Sequence, residues 1–298
     1  MTGLSMPPFN TTLLGVVRGV AAFYGMDFSD AMLYGVSGHA FLMNIDPTVC
    51  PSGPYCWNME GFARQLRGLG IAMTPLGFYG PDAEPARRAE AERQVREQVA
   101  AGVPCSLLNM EHQLITGIDA QGMATAQPWP KMDFPPARLT WGTWAELGQE
   151  IHLTFFAWPR CEPTGLEEAV RGGLRLALDL CDNPEHYQQP GYSVGAGAYA
   201  AWISAVSAGQ GTSHGAWWNA MVWSECRERA GDYLEEIGRR FPGMVPRAEI
   251  LAGQYRAVAA ALREAGQKET PDGRRLALLA DARDREAECI EQIRAARP

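Results

Sequence analysis

His112 is the most serviceable base in the sequence, set in the strand-like run HQLITGI just after a second such run, PCSLLNM. An imidazole titrates near neutrality without help, so beside a cleft it would act as a general base. The bland alternative is a core histidine held by hydrogen bonds. Among possible nucleophiles, Cys56 stands in the loop CPSGPYCWN beside Trp57, shortly before Asn58 opens a helix. It would need to reach His112 within hydrogen-bond distance; otherwise it is an inert packing thiol. Cys105, inside a strand pattern, reads as core, and no cysteine precedes Cys50. Asn10, Thr11 and Thr12 open the first helix, where each is a suitable cap for exposed N–H groups. No Cys/His grouping has the paired short spacing of a structural zinc site, so neither metal nor cofactor is expected. GVSGHAF lacks the G-x-x-x-x-G-K-[ST] pattern and precedes a strand rather than a helix, which argues against a phosphate cradle.

Composition narrows the function classes. The 298 residues are 46% hydrophobic and 20% charged, the range of a globular chain long enough for two domains. With 26 Lys+Arg against 34 Asp+Glu and a net charge of -8, nonspecific nucleic-acid binding is not expected, because phosphate neutralisation needs clustered basic groups. The opening MTGLSMPPFNTTLLGVV carries no positive charge before its apolar stretch, and Arg18 interrupts that stretch. It reads as neither a signal peptide nor a membrane span. A cytoplasmic location follows, with the 7 cysteines kept as thiols.

The elements that must position these groups fall into two halves. Helices are expected over Thr11–Tyr24, over Asp30–Tyr34 with Ser29 as cap, over Glu60–Leu69 and over Asp82–Ala101. Strands are expected in IAMTPLGFYG, PCSLLNM, HQLITGI, MATAQPW and IHLTFFAWP. After Pro163, Thr164 and Glu167 make a T-x-x-E capping box for a helix through Leu180. Helical patterns follow at 195–208, 215–240, 246–265 and 272–296, with almost no strand signal. The expected division is an α+β domain over 1–162 and a helical domain over 163–298.

A first helix, then strands, then a histidine on the penultimate strand is the layout of a thiol hydrolase. There the helix start holds the nucleophile and a polar residue on the next strand orients the base. The helix ending FYG, then SDAMLYGVSGHAF, AAGVPCSLLN, HQLITGIDAQG and AQPW occur in that order over roughly residues 10–130. On these segments the first half resembles the family of the butirosin biosynthesis protein H N-terminal domain. More distantly it is similar to the double-glycine leader peptidases. The resemblance implies a papain-like fold and, for the butirosin protein, acyl transfer from a carrier protein to an amine. It places the nucleophile on Thr12, counted back from Gly25, where the relatives have Cys. It places the base on His112, and the orienting group on Gln127, ahead of Pro128, where they have an acid. An internal threonine has no appreciable ionised fraction and no amine of its own as base. Gln127 could accept a hydrogen bond from His112 but not stabilise an imidazolium as a carboxylate would. The resemblance also makes GVSGHAF a wall of the substrate cleft, with Gly38 allowing close approach and His39 at its rim; otherwise Gly35 and Gly38 merely end a helix and turn the chain. Asn10 and Trp57 complete this set of candidate substrate contacts.

The second half is rich in aromatic residues. Trp217 and Trp218 are adjacent, so on a helix they point about 100° apart and serve different partners. One is expected in the core and the other toward the first domain or a ligand. The C-terminal run RRLALLADARDREAECIEQIRAA offers a charged face and an apolar stripe suited to a homodimer. Two functional readings stand. One is an altered acyltransferase or amide hydrolase for an acyl or peptide-like substrate, in a cleft covered by the helical domain. The other is a noncatalytic module that binds a small molecule, a peptide or a carrier protein.

Overall fold

A computed structural model of the chain describes residues 3–80, 83–132, 134–142 and 153–298. Asp82, the expected start of a helix, and Ile151 and His152, expected in the last strand, lie outside the described residues. In chain order the elements are α1 Thr12–Phe23, α2 Asp30–Val36, β1 Asn44–Ile45, α3 Glu60–Gly68, β2 Thr74–Tyr79, α4 Pro85–Ala100, β3 Cys105–Asn109, β4 Glu111–Ile118, β5 Gly122–Thr125, β6 Arg138–Thr140 and β7 Leu153–Ala157. Then follow α5 Leu166–Asp182, β8 Ser193–Val194, α6 Ala196–Ala205, α7 His214–Arg240, α8 Ala248–Ala265 and α9 Asp272–Ala296. The fold is mixed α and β, with an antiparallel sheet and a helical C-terminal region.

The chain forms two compact units. Met1–Phe28 and Gly70–Pro163 make one; Ser29–Leu69 and Thr164–Pro298 make the other. A boundary near residue 162 marks only the last of three crossings. Ser29–Leu69 groups with the helical unit because α2 and α3 bury their faces there. A Cβ on Gly35 would stand 2.1 Å from the Tyr233 ring, and one on Gly61 would stand 2.9 Å from that of Tyr187.

In the sheet unit the strand order is β2-β7-β3-β4-β5-β6, every neighbouring pair antiparallel. Alternate residues of a strand face opposite sides of the sheet. Cys105, Leu107, Ile115, Leu153 and Phe155 therefore pack with Ala91 and Val95 of α4. Leu114 and Phe156, out of phase with that set, lie on the other face, where α1 packs. Gly19 makes the close approach there: an added Cβ would meet the Ser5 carbonyl oxygen at 2.2 Å and Leu114 Cδ1 at 2.5 Å. The sequence patterns missed β6, whose three residues are too short to show alternation.

In the helical unit α7 runs for 27 residues. Its buried stripe includes Trp223, Arg227, Ala230, Leu234 and Ile237, the spacing of one helix face. Ser29 caps α2, its Oγ accepting the Met32 N–H at 3.0 Å. The capping box expected at Thr164 does not form. Gly165, at φ 95, takes the cap position of α5 with no side-chain bond, which leaves Thr164 one residue outside it. A π turn over Val206–Gln210 ends the α6 helix, and Ser213 starts α7 by accepting the Ala216 N–H at 3.1 Å. The strand signal missing from this half corresponds to one two-residue ladder, β1 with β8. Among the described residues no helix is long and apolar enough to cross a membrane.

The contact of α1 with β4 depends on the missing side chain at Gly19. Gly19→Ala is expected to lower the unfolding free energy by about 1–3 kcal/mol, because backbone must move to admit the methyl group. Gly117→Ala, where an added Cβ meets nothing within 4 Å, should leave stability unchanged or raised. Urea denaturation of the two variants checks the contrast.

Candidate functional site

Thr11 occupies the cap position of α1, so Thr12 is its first helical residue. The Thr12 hydroxyl does not cap the helix. It accepts the His112 backbone N–H at 3.1 Å and donates to Glu111 Oε2 at 2.8 Å. The tight β3–β4 hairpin makes this possible: Met110 turns the chain in the left-handed region at φ 58, which brings Glu111 and His112 to the start of β4. Thr12, Glu111 and His112 are all buried. Asn10, just ahead, accepts the Thr12 N–H through its backbone carbonyl at 3.1 Å.

The His112 ring is 0% exposed and leans on Phe156, with 6.1 Å between centroids. Burial pulls its pKa down from 6.5 to about 3, since a charged imidazolium loses its hydration in an apolar site. At neutral pH the ring is uncharged and a very weak base. Gln127 gives its side-chain N–H to the Pro135 carbonyl at 2.6 Å. Thr12 and His112 are thus brought into direct contact, through a hydroxyl and a backbone amide.

The remaining sequence candidates belong to the helical unit. The Cys56 carbonyl accepts from Asn44 at 2.9 Å, and burial together with a hydrogen bond to Cys56 pushes the Tyr192 hydroxyl up. Gly38 at φ 75 admits Leu176, whose Cδ2 would lie 2.5 Å from an added Cβ. Its role is helix packing. His39 is 1% exposed, ringed by Trp57, Phe62 and Trp223 at centroid distances of 5.5–6.1 Å, and 3.5 Å from Cys226 Sγ. The void beside it measures about 10 Å3, room for one water at most. The expected cleft wall is a closed core, because aromatic rings fill the space around the imidazole. Trp57 is buried, its Nε1 donating to the Pro54 carbonyl at 3.0 Å. Trp218 turns inward and donates to the Tyr55 hydroxyl at 3.0 Å, while Trp217 is 40% exposed and lies against His214.

A large cavity lies elsewhere in the helical unit. It measures about 650 Å3, with Phe41, Leu180, Ile290 and Tyr199 in its walls and Glu286 among its lining groups, a size typical of small-molecule sites. Beneath it is a buried polar network. Arg227, 0% exposed, donates Nε and Nη2 to the two oxygens of Glu286 at 3.1 and 2.6 Å, and Nη1 to the Leu42 carbonyl. The Tyr199 hydroxyl donates to Glu286 at 2.6 Å. Burial and the Glu286 charge hold that phenol well above its ordinary pKa. Burial pulls Arg227 down, yet the Glu286 charge, its hydrogen bonds and the neighbouring Tyr199 together more than offset it, so the guanidinium stays protonated.

The chain matches no protein-family model and no curated protein. Among the described residues no cluster of three His, Cys, Asp or Glu could hold a metal ion.

Sequence reasoning missed Glu111, Arg227 and Glu286. Glu111 adjoins His112 but carries no pattern of its own. The other two did leave a signal: each interrupts an apolar stripe, Arg227 between Trp223 and Ala230, Glu286 between Ala282 and Ile290. A charge in such a position must find a partner in the core.

Because the folded protein holds His112 neutral down to about pH 3, the unfolded chain binds more protons between pH 6.5 and 3. Stability is full above pH 6.5 and falls as pH drops through that window, by about 4–5 kcal/mol from this ring. Urea titrations across the window should show His112→Gln with a correspondingly shallower acid slope than wild type.

Proposed function

We propose that this chain is a noncatalytic small-molecule-binding protein, whose sheet unit is a papain-like frame of the butirosin biosynthesis protein H kind with its reaction centre converted to structure. The contact of the first helical residue with the histidine-bearing strand supports the frame. One observation carries the loss of catalysis. The Thr12 hydroxyl is committed to Glu111 and to the His112 amide, while the His112 ring sits buried as a neutral, very weak base. Nucleophilic catalysis of the papain kind needs an ionisable nucleophile and a base near the operating pH. Thr12 and His112 provide neither.

The thiols support the same reading. Burial pushes Cys105 and Cys289 up to about 12, and a thiol is nucleophilic only as thiolate. Binding then belongs to the 650 Å3 cavity of the helical unit, whose size and apolar walls suit a small molecule.

Iodoacetamide labelling at pH 7, followed residue by residue by mass spectrometry, tests the noncatalytic assignment. Every cysteine should react no faster than free cysteine. A single thiol that reacts at least tenfold faster, and slows on His112→Ala, overturns it.

A further inference from the structure

The cavity in the helical unit has a charge imbalance that selects its occupant. Four carboxylates line it, Asp182, Glu286, Glu288 and Glu291, against the guanidiniums of Arg283 and Arg294. Both guanidiniums are already engaged. Arg294 is held by Asp182 through two bonds of 2.7 Å, and Arg283 donates to Asp284 at 2.8 Å. The buried Arg227 is matched by Glu286. Arg294 also reaches Glu291 at 3.3 Å, so one guanidinium answers two carboxylates, and together with Glu288 they leave a negative surplus at the mouth of an otherwise apolar space. Cys289 is raised by burial and then by Glu286 and Glu288.

We propose that this cavity binds a small organic cation, an amine or quaternary ammonium on an apolar body. The inference rests on the binding-protein reading above. The apolar body lies against Phe41, Leu180 and Ile290, and the cation stays near the carboxylates, where it loses less hydration than in the core. An anionic ligand of the same shape meets like charge.

The test is calorimetric titration of the full chain with octyltrimethylammonium, octanoate and octanol, which share one apolar tail. The ammonium should bind at least roughly tenfold more tightly than either of the others. Glu286→Gln leaves Arg227 without its charge partner and is prone to misfold, so two other variants carry the test. Ala287 lines the cavity and is exposed; Ala287→Trp should abolish binding and leave the melting temperature unchanged. Glu288→Gln combined with Glu291→Gln should bring the ammonium down to the affinity of octanol. Octanol or octanoate bound as tightly as the ammonium overturns the preference for a cation while the binding-protein reading stands. Failure of all three probes to bind, or ammonium binding untouched by Ala287→Trp, overturns the assignment of this cavity. Neither result bears on the thiol rates, which alone decide whether the sheet unit is catalytic.

Discussion

A guanidinium taken wholly out of water persists only if its charge and its N–H groups are answered where it lies, and in the helical unit this requirement falls on Arg227. Glu286 answers the charge, the Leu42 carbonyl takes a further donor, and the Tyr199 hydroxyl completes the carboxylate. One side chain thereby ties α7 to α9, and through Glu286 to α6, and holds the segment that leads into β1. Removing one partner of such a pair typically costs about 3–5 kcal/mol, since the other charge is left buried alone. The same network makes a polar base for the 650 Å3 cavity, so the stability of the helical unit and the character of its pocket share one origin.

The sheet unit meets the same requirement in another way. His112 is buried without becoming charged, and its backbone amide is satisfied by a hydroxyl from α1. Thr12 in turn donates its hydroxyl hydrogen bond to Glu111. A hydroxyl held by two hydrogen bonds in a closed site locks a helix onto a strand well, and for the same reason it is poorly placed to attack a substrate.

Much of the fold was legible because it is periodic. Cys105, Leu107, Ile115, Leu153 and Phe155 alternate along their strands as the pleat demands, and the α7 stripe repeats every three or four residues. Ser29 caps α2 as its type and place suggest. Failures came where no period exists or where geometry overrides preference. Gly165, not Thr164, ends the turn into α5, and β6 is too short to register. At the candidate site, His112 and Thr12 were legible as neighbours only through the resemblance, since a hydrogen bond spanning 100 residues leaves no local trace.

By itself the sequence determined the helices and the longer strands, the helical character of the C-terminal region, and the absence of a cysteine at the start of α1. Those properties follow from local periodicity, capping and residue identity. Tertiary structure alone decided that Ser29–Leu69 joins the helical unit, that the His39 ring is enclosed by aromatic rings, and that Glu286 meets Arg227 from 59 residues away. Burial and pairing are sums over neighbours distant in the chain, so no window of residues contains them.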